Sequence, residues 1–163
     1  MSEFIEDHLI KIEIDHATTG SDGVAVSTTA THPLGVYIPK NAVVTSVWYD
    51  VIETFASTSG GTDKATIALK IEGTGDIVAA LAIEAGTNIW DAGIHSTIVG
   101  SPTLSAFDAA NSPTALEYAS TKTSTPALTM IKTTVIREVT VTVATAALTA
   151  GKMNLFIEYV LSS

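Results

Sequence analysis

The sequence predicts an all-β fold: an antiparallel β-sandwich, with the jelly roll as favoured subtype and one long irregular loop region. Three observations predict it. Apolar and polar residues alternate with period two in run after run. Those runs, about seven or eight of them, are bounded by glycine, proline and small polar residues. No segment keeps a helical period for more than about two turns.

The runs can be justified in order. "HLIKIEID" sets Leu9, Lys11, Glu13 and Asp15 on one side and Ile10, Ile12 and Ile14 on the other, the pattern of a half-buried strand. "GVAVS" reads as a short second strand that alternates Val24 and Val26 against Ala25. "LGVYIP" is a third, stopped by Pro39, which has no N–H to give a ladder. A "PKN" turn then leads into the longest alternation, Ala42 to Thr54, crowded with β-branched and aromatic residues. A strand of this length is expected to lie centrally in its sheet. Val47, Tyr49 and Val51 fall on one face and Trp48, Asp50 and Ile52 on the other. Neighbouring strand residues point to opposite faces, so the Trp48–Tyr49–Asp50 trio is scattered and reads as architecture, not as a site.

After the loop "ASTSGGTD", "KATIALKIEG" turns Ala65, Ile67, Leu69 and Ile71 inward, and "GTGD" reverses the chain. "IVAALAIEAG" has the alanines and leucine of a helix but the length and flanking glycines of a strand, and is read as a strand. From Thr87 to about Ala127 the pattern dissolves into Ser, Thr, Ala, Pro and Asn. Loops of that length are uncommon in a compact domain unless functional or contact-making. Alternation returns with Val139, Val141 and Val143, and again with Met153, Leu155, Ile157 and Tyr159. With "TAGK" as the turn between them, the last two strands are expected to form a hairpin.

The 163 residues read as a single domain, 1–163, with residues 1–8 available as an extended N-terminal arm. A chain of this size buries about 70% of its unfolded surface, enough for a core without staples. Cysteine is absent, which excludes disulfides and thiolate metal sites. The formal charge of −9 repels phosphate backbones and anionic bilayers, so neither nucleic acid nor membrane is an expected partner. Only 15% of residues are charged, and the mean hydropathy is +0.36. Apolar surface hidden between subunits is therefore expected. The acidic start "MSEFIEDHLIKIEID" does not read as a secretory signal, and "IVAALAI" is too short to span a bilayer.

Three stretches, "LGVYIPKNAVVTSVWYDVIETF", "TDKATIALKIEGTGDIVAALAIEAGTNIWDAG" and "REVTVTVATAALTAGKMNLFIEYV", resemble small virion proteins of marine and cyanobacterial phages, of the head decoration (cement) or capsid-fibre type. The shared pattern is a Tyr-x-Ile-Pro entry, a central Asp-Val strand, a "TIAL" strand and an "LTAGK…EYV" end. It covers Leu34 to Val160 apart from Gly100 to Ile136, and it consists of turns and strands, not chemistry. The resemblance implies a β-sandwich on the exterior of a phage head, made in the host cytoplasm. It further implies the major capsid protein as partner and self-association as a homotrimer. The arm Met1 to His8 and the stretch Ser101 to Ala127 are the contact-making segments expected on this reading.

Side chains with chemical potential are few. His8, His16, His32 and His95 have no His-x-His or His-x-x-x-His spacing, although folding could gather the first three around zinc. Asp15, Asp22, Asp63 and Asp76 lie in or beside turns, but no Asp-x-Asp-x-Asp run frames a calcium loop. No metal or cofactor is expected. "EGTGD" lacks the Lys-Ser/Thr of a phosphate loop and reads as a β-turn. No nucleophile elbow is present, and a glycosidase would need carboxylates such as Glu53 and Glu158 to converge within about 5–9.5 Å. In "NIWDAGIH", Trp90 with Asp91 and His95 has the composition of a sugar-stacking platform, the basis of an alternative reading as a carbohydrate-binding module or as a fibre or tail component recognising host glycans. The preferred reading of Trp90 is a plug at one end of the sandwich, its N–H meeting a carbonyl.

Overall fold

The eight strands of the computed structural model are β1 (Asp7–Asp15), β2 (Thr31–Ile38), β3 (Ala42–Ser57), β4 (Thr66–Lys70), β5 (Val78–Ala82), β6 (Gly93–Ser96), β7 (Arg137–Ala144) and β8 (Leu148–Leu161). Residues 6–58, 64–73, 76–83, 89–96 and 131–162 are described. The expected contact stretch Ser101 to Ala127 and the first five residues of the arm lie outside them. The strands form two antiparallel four-stranded sheets, in the orders β1-β8-β3-β6 and β2-β7-β4-β5. The result is a β-sandwich with no helix among the described residues.

Alternation decides what is buried. Ile12 and Ile14 of β1, Ile67 and Leu69 of β4, Val139, Val141 and Val143 of β7, and Met153, Leu155 and Ile157 of β8 all enter one core. β3 does so in two phases. Ala42 and Val44 point inward, the register then shifts between Val44 and Ser46, and Val47, Tyr49 and Val51 take over the buried positions. The extra residue of a bulge flips the side-chain parity, and in this way both apolar sets reach the same core.

Three expectations require correction. "GVAVS" is not a strand: it contributes one isolated bridge, Thr19 to Ala25, while Val24 stays exposed and Val26 is buried. The Asp22 carboxylate accepts from the Val24 N–H at 3.0 Å, favouring a turn there. Second, β7 and β8 do not form a hairpin, because they belong to different sheets. The chain crosses between them at Thr145–Ala147, with Thr145 at φ 71°, and "TAGK" lies inside β8. Third, order reappears within the dissolved stretch as β6, which pairs with Trp48 to Val51 of β3.

The turn from β2 into β3 is held from a distance. Asn41 adopts φ 65°. The buried Thr133 hydroxyl donates to the Pro39 carbonyl at 2.6 Å and accepts from the Ala42 N–H at 2.9 Å. The Thr133 backbone completes the clamp with Asn41 N–H and Ala42 C=O, at 3.0 and 2.9 Å.

Gly151 has a different task. At φ 128°, a Cβ built on it would overlap the Cγ, Cδ1 and Cε1 carbons of the Phe55 ring of neighbouring β3. The aromatic ring covers the bare glycine across the strand pair. Gly151→Ala is therefore expected to cost about 2–4 kcal/mol from backbone strain plus overpacking. Gly23→Ala, at φ 78° with open space around it, should show only the backbone part, about 1 kcal/mol; denaturant titration of the two variants checks the difference.

The β4 end is tied to β7 by Arg137, whose Nε and Nη2 each donate to the Glu72 carboxylate at 2.7 Å. These hydrogen bonds hold the Glu72 carboxyl below its ordinary range. A depressed carboxylate stabilises the fold above its unfolded pKa, about 4.3, and loses that contribution as pH falls through its folded value. Glu72→Gln should accordingly lower stability at neutral pH and flatten its acid dependence, as followed by thermal melts between neutrality and strong acid.

Candidate functional site

Among the described residues, the most concentrated group of aromatic and polar side chains lies where β6 meets β3. Register places His95 opposite Tyr49, and the two rings stack with centroids 5.1 Å apart. Tyr49 also stacks on Trp90 at 5.8 Å, and Phe55 meets Trp90 edge-on at 5.9 Å. The backbone is tied around this cluster: Phe55 N–H donates to the Trp90 carbonyl at 3.1 Å and Ala92 N–H to Thr54 Oγ1 at 3.0 Å. Tyr49 donates its hydroxyl proton to the Ile89 carbonyl at 3.1 Å. Burial pushes the Tyr49 phenol well above its ordinary pKa.

Of the three residues named as a sugar platform, Trp90 is 1% exposed, between Tyr49 and Phe55. No ring face is left for a pyranose. Its indole N–H has no partner among the described residues. Asp91 and His95 are partly exposed, and His95 Nε2 lies 3.0 Å from the Asp91 carbonyl oxygen, which holds the loop on itself.

The other chemical candidates are kept apart. His8 opens β1 and stacks on Tyr159 at 5.0 Å. His16 follows the far end of β1, with Nδ1 3.3 Å from the Gly151 carbonyl, and His32 is buried in the other sheet, 2.8 Å from the Thr28 carbonyl. Among the described residues no three His, Asp or Glu side chains gather as metal ligands.

The turn carboxylates serve the backbone instead. Asp15 accepts from Ala17 N–H at 2.8 Å, a bond that holds its carboxyl below the usual range. Asp76 accepts from the N–H groups of Ile71, Glu72 and Gly73 at 2.8, 2.7 and 2.8 Å. These three N–H groups thus form an anion nest, and its anion is the protein's own carboxylate. Asp63 lies outside the described residues. Glu158 pairs with Ser46 and Glu53 with Lys152, which separates the two carboxylates by seven β3 positions, about 20 Å. They cannot flank one bond.

Sequence reasoning missed one surface feature, an outward aromatic stack with apolar neighbours. Trp48 and Phe156, paired in register, stack outward with centroids 5.3 Å apart and planes at 8°. Around them Leu9, Ile52 and Ile94 are 61%, 52% and 75% exposed. The signal was present in the even-numbered positions of "VWYDVI" and "NLFIEYV", though only pairing across 108 residues brings the rings together.

No protein-family model and no curated protein matches the chain. Among solved structures it is similar to a chain of the acidic stable capsid structure of Helicobacter pylori bacteriophage KHP30, with a TM-score of 0.52 and 17% identity over 96% of this chain and 89% of that one. It is also similar to a chain of the cyanophage Pam1 capsid asymmetric unit, with a TM-score of 0.47, 10% identity, and 97% and 85% coverage. A chain of the capsid of Ralstonia phage GP4 gives 0.44, 16%, and 100% and 88%. The first of these likenesses shows a shared fold.

Trp90→Ala should remove about 3–5 kcal/mol of stability, because it empties a packed aromatic site. Its second consequence is spectroscopic. In the native chain the raised Tyr49 pKa favours the neutral phenol, so this contribution is lost as pH rises beyond about 10 and through the folded value. Phenolate absorbance should show Tyr49 ionising at lower pH in the variant than in the native protein.

Proposed function

We propose that this chain is a non-enzymatic structural protein of a phage virion, a head decoration (cement) protein that binds the major capsid protein lattice on the head exterior as a homotrimer. The observation that carries the reading is the extent of the fold likeness: 96% of this chain and 89% of a chain found in a phage capsid correspond. The likeness runs through the whole body and is not confined to a grafted module. The strand order supports a jelly roll. β1 lies beside β8, β2 beside β7, β3 beside β6 and β4 beside β5, the nested order of one long antiparallel hairpin rolled into two sheets.

The chemistry supports the same reading. Among the described residues, Asp15, Asp22 and Asp76 serve turns, His8 and His95 stack on tyrosines, and the Trp90 cluster is packed. A lattice-binding protein needs no single strong site, because oligomerisation makes each further contact effectively intramolecular. The trimer follows from the resemblance of "YIPKNAVV" and "LTAGK…EYV" to phage decoration proteins.

Co-sedimentation of the purified chain with phage heads lacking it, imaged by cryo-electron microscopy, is the direct test. Regular added density at lattice positions is expected. Clean heads would move the protein to the tail or fibre, and light scattering that finds a stable monomer at micromolar concentration would count against the trimer.

A further inference from the structure

The outward faces of the two sheets are chemically unlike. On β2-β7-β4-β5 the paired positions are Thr31 with Thr142, Thr142 with Ala68, Thr66 with Ala144, Lys70 with Thr140, and Tyr37 with Glu138, a surface of small side chains with one exposed tyrosine and one charge of each sign. On β1-β8-β3-β6 the centre is the Trp48–Phe156 stack, with Leu9 and Ile94 standing free beside it. Paired residues share a face, and the register sets six carboxylates on this one: Asp7, Glu13 and Asp15 from β1, Glu158 from β8, Asp50 and Glu53 from β3. The cations there are Lys11, Lys152 and, bridged to Val43, Lys132, and Lys152 already bridges Glu13 at 2.8 Å and Asp15 at 3.5 Å. Six negative against three positive leaves −3 on one sheet face, out of −9 for the chain.

We infer that this face docks a protein surface whose centre is apolar and whose rim carries Lys and Arg. The stacked aromatic pair is partly exposed, the composition of a binding hot spot. The surrounding carboxylates steer an oppositely charged partner and repel wrong ones. A second copy of the chain is a poor occupant, since face-to-face pairing would set six carboxylates against six. Bilayers and nucleic acids, both anionic, are repelled by the same groups. The inference rests on the virion reading in one respect: the partner surface is that of the capsid shell.

The test uses the full-length chain and phage heads lacking it, measuring bound fraction against salt for the native chain and four variants. Trp48→Ala should weaken uptake about tenfold or more. Asp50→Lys with Glu158→Lys should weaken it comparably and abolish its salt dependence, while Thr142→Lys on the opposite sheet should bind as the native chain does. Asp50→Asn with Glu158→Gln removes the charges without adding bulk, and it decides the matter should the lysine variant fail to fold. Face variants that bind like the native chain overturn the docking face and leave the virion reading standing. Heads that take up no native chain overturn the virion reading, and this face with it. Sedimentation velocity supplies the last arm: an oligomer that dissociates on Trp48→Ala assigns the face to a second copy and overturns the inference.

Discussion

The pairing of β3 with β8 is the constraint on which the remaining structure depends. It runs from Ala42 opposite Leu161 to Ser57 opposite Leu148, and it joins residues about a hundred positions apart in the chain. β1 and β6 can attach only to its two flanks. The same ladder puts Phe55 over Gly151 and Trp48 beside Phe156. Because its contacts are non-local, loop-closure entropy must be met before they form, which places this ladder among the slow and decisive steps of folding. The neighbouring sheet is then coupled through the Thr145–Ala147 corner, where β8 and β7 part company.

Local rules made most of the strands legible. Ile12 with Ile14, and Ile67 with Leu69, announce their buried faces within a few residues, because strand parity needs no information from elsewhere. What sequence reading lost was the partner of each strand. "TAGK" looks like a turn because glycine usually marks one, yet Gly151 is required by the Phe55 ring across the ladder. β6 is four residues long, too short for alternation to register. Trp90 shows the same limit at the candidate site: "NIWDAGIH" favours a plug but leaves a sugar platform open, and only the positions of Tyr49 and Phe55 bury the ring. Thr133, one threonine among many, gains its role solely from the turn it clamps.

The carboxylates illustrate how polar side chains are consumed by architecture. Backbone N–H groups at tight turns require acceptors, and Asp15, Asp22 and Asp76 meet that need within a few residues of their own positions. Each bond taken by the backbone is one no metal or substrate can use. The Asp76 nest is the extreme case, three N–H groups closing on one carboxylate. Acidic residues in turns therefore say little about cation binding until their acceptor capacity has been accounted for.

Sheet edges further restrict how this protein can meet a partner. An open edge is a ready template for another strand, but the edges here are blunted. β2 carries Pro33 and a bulge at Gly35, where φ is 71°. β5 and β6 are five and four residues long. β1, the longest edge, alternates charged Asp7, Lys11, Glu13 and Asp15 along its outward side. With strand addition discouraged at each edge, recognition falls to the flat faces. Of these, the β2-β7-β4-β5 face carries a lone exposed Tyr37, with Glu138 and Lys70 balancing in charge, whereas the Trp48–Phe156 face carries a stacked pair within an excess of carboxylates. The charge that keeps copies of this face apart is also what selects a basic partner, so solubility and specificity draw on the same six carboxylates.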